Sequence, residues 1–260
     1  MLEKIKIIRL KEKEKELFED CVVEEVPFTL KLNEKELATL LCTPADLEDL
    51  ATGFLFTSGI INKAENVKKI IIDRERWTAN IELENKNNTG DLVFKRLYTS
   101  GCGRGILFYN IADIANRAKI ISDLKIQAEK INILMADFQK KSQVYKLTGG
   151  THGAALADGE GILIFKEDIG RHNAIDKVIG NGLRQGCSFK NKIILTSGRI
   201  SSEVLFKTQK CRIPIVVSRS APTNQAVMLA KDMNITLVGF ARGNRMNIYS
   251  SEGRIEYSKK

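Results

Sequence analysis

From residue 144 onwards, short apolar runs alternate with amphipathic stretches. The runs cover residues 161–165, 192–196, 213–217 and 235–240, and glycine punctuates the sequence around them. Stretches with helical apolar spacing follow the first three runs and begin near residues 168–173, 201 and 223. Alternation of this kind is typical of a sheet covered by helices, so the pattern predicts an α/β layer in the C-terminal half.

The N-terminal half has a mixed pattern. Thr43-Pro44-Ala45-Asp46 combines a helix cap, a first-turn proline and a carboxylate, and apolar residues at helical spacing continue to Gly59, which predicts a helix. Strands are predicted at residues 22–32, 67–73, 79–82 and 92–98, and helical spacing runs from Ile106 to about Ser142. The fold prediction is therefore α/β with two domains: residues 1–125, α+β and ending in a cysteine loop and a bridging helix, and residues 126–260.

Composition narrows the class of protein. The 260 residues carry a net charge of +9, but no block of five Lys or Arg occurs, and the dense run at residues 11–16 alternates in sign. Much of the excess sits on single arginines beside glycine, serine or asparagine, which suits compact anions better than a long polymer. No apolar stretch approaches membrane-spanning length, and no signal-peptide pattern opens the chain, so a soluble, cytoplasmic protein is expected.

Cys102 is the most reactive-looking side chain. It lies in Thr99-Ser100-Gly101-Cys102-Gly103-Arg104-Gly105, whereas a structural cysteine usually has apolar neighbours. Arg104 favours the thiolate, which is the nucleophilic form. A chemically active cysteine is predicted at this position, with a packing cysteine as the alternative. The five cysteines form no C-x-x-C pair, and Cys21 and Cys42 are expected to be ordinary packing residues.

Three successive strand ends in the C-terminal half carry small polar residues and arginine. They read Ser197-Gly198-Arg199, Ser218-Arg219-Ser220 and Arg242-Gly243-Asn244-Arg245. Because ligands of open α/β sheets bind outside the carboxyl ends of the strands, these residues predict a phosphate or pyrophosphate site. For each of these segments taken alone, the alternative interpretation is a turn without a ligand. His172, at a predicted helix start, is a further ligand candidate, and His152 lies between glycines. Neither a P-loop nor a complete G-x-G-x-x-G fingerprint is present.

Several segments together resemble one family. They are residues 98–103, 148–155, 167–177, 196–199 and 239–245, with the helix start at 43–50. In order and over almost the whole chain they are similar to the FdhD family of formate dehydrogenase accessory sulfurtransferases.

The resemblance implies a C-terminal domain that is a three-layer α/β/α sandwich like the cytidine deaminase fold. It implies a carrier that takes persulfide sulfur from a cysteine desulfurase to the molybdenum bis(molybdopterin guanine dinucleotide) cofactor of formate dehydrogenase. Cys102 would carry the persulfide, and the cofactor would be bound substrate, with no catalytic metal of the protein's own. The segment implied to bind the cofactor is Phe240, Ala241, Arg242, Gly243, Asn244 and Arg245, and the strand-end reasoning adds His172, Ser197, Gly198, Arg199, Ser218 and Arg219.

One departure from the family and three alternative functions bear on this expectation. The family commonly has a second cysteine where this chain has Gly105, so all sulfur chemistry would pass through Cys102. A zinc deaminase would need H-x-E and P-C-x-x-C, which His172-Asn173-Ala174 and residues 222–226 do not provide. A cofactor-holding chaperone without sulfur transfer is the main alternative function. Nucleic-acid binding, motivated by the charge, lacks basic stripes with stacking aromatics. No nucleic acid and no membrane are expected as partners, and a homodimer is a possible assembly.

Overall fold

The computed structural model describes residues 1–12, 14–84 and 118–257, and the backbone of residues 95–98 and 106–109. Cys102 and the rest of the 99–105 segment lie outside the described residues. The described part contains sixteen strands and six α-helices. None of these helices combines the length and apolar character that a membrane crossing requires.

The chain begins with a long antiparallel hairpin. Strands β1 (Leu2–Lys11) and β2 (Glu14–Val23) pair from Leu2 opposite Val23 to Lys11 opposite Glu14. The sequence analysis predicts no strand before residue 22, and the alternating charges at residues 11–16 are typical of a solvated segment. The charged side chains do face solvent, but the two strands pair in continuous register. Opposite charges also pair across the strands, as in Lys4 Nζ and Glu19 Oε1, which are 2.9 Å apart.

A four-stranded sheet follows. Its order is β4 (Lys35–Cys42), β3 (Val26–Leu32), β6 (Thr78–Leu83) and β5 (Val67–Asp73). The predicted strand at 67–73 is confirmed with its bounds, and the one at 79–82 is confirmed within a longer strand. The predicted strand at 22–32 is divided instead, because Glu24 and Glu25 separate β2 from β3.

Helix α1 (Leu47–Thr57) confirms the predicted N-terminal helix but begins later than its cap pattern indicates. Thr43 does not cap it. The Thr43 amide and hydroxyl donate hydrogen bonds to the Asp168 carboxylate, at 3.1 and 3.2 Å, and Asp46 precedes the helix with φ of 54°. The Thr43 side chain therefore binds the buried Asp168 carboxylate, in the other half of the chain, instead of the first turn of the helix.

The C-terminal half forms a six-stranded sheet. Its order is β11 (Ile162–Asp168), β10 (His152–Ala157), β12 (Ile193–Thr196), β13 (Ile215–Ser218), β14 (Thr236–Arg242) and β15 (Arg245–Ser250). β12, β13 and β14 are parallel, whereas β10 and β15 run antiparallel to their neighbours. The predicted α/β layer is confirmed, and β15 is a strand that the apolar pattern misses.

Helices cover both faces of this sheet. On one face, α4 (Arg171–Arg184), α5 (Ser202–Lys210) and α6 (Asn224–Asp232) pack with Leu156, Ile194 and Val216. On the other face, α2 (Ala128–Lys141) packs with Ala155, Leu195 and Val217, and the short α3 (Gln143–Thr148) follows it. Alternate residues of each strand thus serve two different cores.

The predicted helical stretch from 106 to 142 is wrong at its beginning. Residues Ile106–Tyr109 form strand β8, which pairs with β7 (Lys95–Tyr98). Among the described residues 118–142, α-helix begins at Ala128. β9 (Ile126–Gln127) precedes that helix and pairs with β16 (Ile255–Glu256) near the far end of the chain. A partner so distant along the chain cannot be read from local spacing.

One apolar core joins the two halves. It runs from Phe28 and Leu55 in the N-terminal half to Ile175 and Leu237 in the C-terminal half. The division at residues 125 and 126 and the likeness to the cytidine deaminase sandwich stay predictions. What the structure adds is that α1 and α4 pack directly against each other.

Candidate functional site

Six strand ends meet at one edge of the C-terminal sheet, which we call the carboxyl edge. It contains the carboxyl ends of β11, β12, β13 and β14 and the amino ends of the antiparallel β10 and β15. The register places His152 opposite Asp168, Thr196 opposite Ser218, and Arg242 opposite Arg245. The three predicted strand-end segments therefore lie side by side.

Hydrogen bonds hold the central segments together. The Ser218 hydroxyl donates to the Gly198 carbonyl oxygen at 2.6 Å, and the Ser220 amide donates back to the Ser218 hydroxyl at 2.9 Å. The Arg219 amide donates to the Thr196 carbonyl oxygen at 3.2 Å. Ser218 and Gly198 are buried. Their position makes them part of the framework beneath any ligand rather than an exposed contact.

Arginines form the outer part of the edge. Arg199, Arg242 and Arg245 are exposed, Arg219 is half-buried, and Arg242 Nε donates to the Arg219 carbonyl oxygen at 2.8 Å. Within the described part of the chain, none of these four guanidinium groups forms an ion pair with a carboxylate. Four uncompensated positive charges on adjacent strand ends make a favourable environment for a compact polyanion.

The first turn of α4 borders this edge. The Arg171 side chain lies against Gly198, where an added Cβ would be 2.8 Å from Arg171 Cβ. His172 Nε2 lies 3.2 Å from Glu203 Oε2 at the start of α5, although without hydrogen-bond geometry. Burial, followed by the charges of Lys207 and Arg171, lowers the pKa of His172 to about 2. The ring is therefore neutral near pH 7 and offers one donor and one acceptor.

Burial also changes the neighbouring titratable groups. It raises the pKa of Glu203, against the lowering effect of Lys207. It lowers the pKa of His152, and the charge of Arg171 adds to that effect. His152 Nδ1 lies 3.1 Å from the Ser197 hydroxyl oxygen, and that oxygen accepts a hydrogen bond from the Gly153 amide at 3.1 Å. His152, on the antiparallel strand β10, thus helps to hold the segment that contains Ser197 in place. The glycines on either side of His152 in the sequence did not predict this contact.

The segment from Phe240 to Arg245 crosses from β14 to β15. Phe240 has φ of 52° and its amide donates to the Ser220 carbonyl oxygen at 3.1 Å, which ties this segment to the end of β13. Gly243, with φ of 58°, and Asn244 form the exposed turn. The turn lines one end of a groove of about 580 Å³, whose other wall is α2 and where Lys140 and Lys146 also lie.

Two buried ion pairs on α4 were missed by the sequence reasoning. Lys177 pairs with Asp168 at 2.6 Å, and Lys207 pairs with Asp176 at 2.5 Å. Asp168, Asp176 and Lys177 are each at most 1% exposed. The signal for them was present, because Asp176 and Lys177 stand among Ile175, Val178 and Ile179 of the buried stretch, where isolated charges would be costly.

The predicted sulfur carrier Cys102 lies outside the described residues, and two of the cysteines that the structure describes are enclosed in its interior. Cys42 and Cys211 are buried, and burial raises the pKa of both thiols, that of Cys42 to about 12. Neither of these two thiols is therefore a ready nucleophile near pH 7. In the described ranges, no three His, Cys, Asp or Glu side chains gather closely enough to hold a metal ion.

Comparison with known proteins identifies related chains. The model of the FdhD/NarQ family matches residues 23–256. The chain is 41% identical over 238 residues to the sulfur carrier protein FdhD of Bacillus subtilis, covering 91% of each chain. It is 38% identical over 251 residues to that of Staphylococcus haemolyticus, covering 96% of this chain and 95% of the relative.

A solved structure agrees along nearly the whole chain. The crystal structure from Desulfotalea psychrophila, described as a formate dehydrogenase accessory protein, superposes with a TM-score of 0.82 at 25% identity. The superposition covers 98% of this chain and 99% of that one.

Proposed function

Because this chain belongs to the FdhD/NarQ family, we propose that it is a sulfur carrier that serves the maturation of formate dehydrogenase. The observation that carries the proposal is the family match over residues 23–256, which includes both Cys102 and the carboxyl edge. The relatives named sulfur carrier proteins share about 40% of their residues with this chain over about 90% of its length, which supports the same role here.

Cys102 is the proposed sulfur carrier. Its thiolate attacks the outer sulfur of a persulfide on a cysteine desulfurase. A new sulfur–sulfur bond forms on Cys102, the bond within the donor persulfide breaks, and the donor cysteine leaves as a thiolate. One thiol is enough to accept and carry a sulfur atom in this way, so Gly105 in place of a second cysteine is compatible with carriage.

The carboxyl edge is the proposed site for the substrate that receives the sulfur, the molybdenum bis(molybdopterin guanine dinucleotide) cofactor. Its pyrophosphates are compact polyanions, and the guanidinium groups of Arg199, Arg219, Arg242 and Arg245 have no carboxylate partner in the described chain. Ser197, Gly198 and Ser218 support the loops, His172 offers a neutral ring, and residues 240–245 supply the turn at the outer strand.

A cofactor-holding chaperone is the second candidate. The arginine-rich edge favours it, because binding an anion there requires no thiol. In that case the protein would hold the guanine dinucleotide and deliver it to formate dehydrogenase without moving sulfur. The two functions differ in whether Cys102 is needed.

Mass spectrometry separates them. The protein is incubated with a cysteine desulfurase and cysteine, and its intact mass is compared with that of Cys102→Ala and of the matched control Cys187→Ala. We expect an added mass of about 32 Da, one sulfur atom, on the wild type and on Cys187→Ala but not on Cys102→Ala.

Guanosine diphosphate binding and maturation of formate dehydrogenase are measured on the same variants. Carriage predicts that Cys102→Ala binds the nucleotide normally and fails to mature the enzyme. Full maturation by Cys102→Ala would overturn sulfur carriage and leave the chaperone function. Failure of the wild type to bind the nucleotide would overturn the site on the carboxyl edge.

A further inference from the structure

Asp168 is the most densely bonded carboxylate of the described chain. It ends β11, is fully buried, and accepts hydrogen bonds from two separate segments, Thr43 in the N-terminal half and the start of α4. Oδ1 accepts from the Gly170 amide at 2.8 Å and from Asn173 Nδ2 at 3.0 Å. Oδ2 accepts from the Thr43 amide and hydroxyl at 3.1 and 3.2 Å, and pairs with Lys177 Nζ at 2.6 Å.

Lys177 completes this buried group. Its ammonium is fully buried and also donates to the Thr43 hydroxyl at 2.7 Å and to the Thr43 carbonyl oxygen at 3.3 Å. A buried ion pair contributes little net stability compared with well-packed apolar side chains of similar size. What such a pair does specify is geometry, because every partner must stay in place to compensate the charges.

The geometry that Asp168 specifies is that of the carboxyl edge. Gly170 is the N-cap residue of α4 and Asn173 belongs to its first turn, so Arg171 and His172 lie between them. Arg171 in turn lies against Gly198, whose carbonyl oxygen accepts from Ser218. A continuous series of contacts therefore runs from the Asp168 carboxylate, through the first turn of α4, to the strand ends of β12 and β13.

We propose that Asp168, compensated by Lys177, is a positioning residue that holds the first turn of α4 against the strand-end loops and so sets the geometry of the carboxyl edge. Asp168 does not itself touch the ligand. The ligand part of this inference rests on the proposed function, since it assumes that a guanine nucleotide binds at the edge. The geometric part does not.

Helix α4 itself provides a matched control. Its Asp176 pairs with Lys207 at 2.5 Å and accepts from the Thr57 hydroxyl at 2.8 Å, so it is equally buried and is also bonded to another segment. Its partners lie on α1 and α5, and its bonds do not involve the first turn of α4. Asp168→Asn and Asp176→Asn therefore remove the same charge from similarly buried surroundings, with different consequences for the edge.

Nucleotide affinity is the first measurement. We expect Asp168→Asn to weaken guanosine diphosphate binding about tenfold or more, because a small displacement of binding groups is enough for such a loss. The affinity of Asp176→Asn should stay within about twofold of the wild-type affinity. Both variants should unfold at a lower denaturant concentration than the wild type. Adding Lys177→Met to Asp168→Asn removes the uncompensated ammonium and should restore stability without restoring affinity. Equal losses of affinity in the two single variants, or recovered affinity in the double variant, would overturn the proposal.

Amide hydrogen exchange is the second measurement and needs no ligand. The Gly170 and Gly198 amides donate to Asp168 Oδ1 and to Thr196 Oγ1. Both should exchange faster in Asp168→Asn and at the wild-type rate in Asp176→Asn. Unchanged exchange in Asp168→Asn would overturn the positioning role. If the wild type bound no nucleotide while these amides behaved as expected, the proposed function would fail at this site and the positioning role would stand.

Discussion

Gly53 of α1 and Gly180 of α4 bring the two helices into backbone contact. A Cβ on Gly53 would lie 1.9 Å from the Asp176 carbonyl oxygen, and one on Gly180 would lie 1.9 Å from the Asp49 carbonyl oxygen. Side chains flank the crossing: Asp49 pairs with Arg184 and Lys166 and accepts from Asn181. Backbone atoms cannot move aside as a flexible side chain can, so the crossing requires glycine in both helices.

Substitution at this crossing is the first prediction. Gly53→Ala and Gly180→Ala should each lower the free energy of unfolding by about 3 kcal/mol or more, because the added methyl group forces the helices apart. Gly159→Ala and Gly253→Ala are the matched controls, since nothing lies within 4 Å of a Cβ at either position. Urea unfolding of the four variants tests this, and control-like stability of Gly53→Ala would contradict the close crossing.

The buried imidazole of His172 leads to a prediction of pH dependence. Its pKa is lowered from 6.5 to about 2, so the unfolded chain binds a proton below pH 6.5 while the folded chain does not. The stability that the neutral ring contributes is therefore present above pH 6.5 and is lost as the pH falls. The loss approaches about 1.4 kcal/mol per pH unit.

His172→Gln should remove this part of the slope. The free energy of unfolding, measured in urea at pH 7.5, 6.0 and 5.0, should fall less steeply in the variant than in the wild type. Glu203 is present in both proteins, so the difference between the slopes reports on His172. Parallel slopes would show that the ring is protonated in the folded protein.

Loss of single arginines should weaken nucleotide binding. Arg219→Gln or Arg242→Gln removes a charge that has no carboxylate partner in the described chain, and a charge-assisted hydrogen bond contributes about 1.5–3 kcal/mol, or roughly tenfold to a hundredfold in affinity. Arg212→Gln is the control, because Arg212 is exposed beyond the end of α5. Calorimetric titration with guanosine diphosphate at two salt concentrations measures both affinity and salt dependence. An equal effect of all three substitutions would point to overall charge rather than to this edge.

The rate of alkylation should differ between the buried cysteines and Cys102. Burial raises the pKa of the Cys42 and Cys211 thiols, so both should stay unmodified when the folded protein is treated with iodoacetamide at pH 8. Cys102 should react first, and all five should react in denaturant. Peptide mass spectrometry reads out each site. Early modification of Cys42 would mean that its surroundings open readily.

Local sequence patterns predict an element correctly where its structure depends on the spacing of its own apolar residues. The strand Val67–Asp73 agrees with its predicted bounds, and each predicted strand and helix of the C-terminal layer is present. The predicted bounds of an element are wrong where a residue far away in the sequence determines its structure. Ile126 pairs with Ile255, which delays the start of α2, and Thr43 binds Asp168 instead of capping α1.

The candidate site shows the same division. Ser197, Ser218 and Arg242 follow apolar runs, so the rule for strand ends places them together, and the register agrees. The contact of His172 with Glu203 and the role of His152 beside Ser197 depend on which elements become neighbours in space. Asp168 looked like part of a recognition motif, yet its partners come from 125 residues earlier and from the helix that follows it.

Thr43 gives its amide, its hydroxyl and its carbonyl oxygen to Asp168 and Lys177. If the N-terminal half came loose first, it would leave a charged pair in the other half without three of its partners. A partly unfolded intermediate of that kind carries a large energetic penalty, so thermal melting should follow a single cooperative transition in which both halves lose structure together.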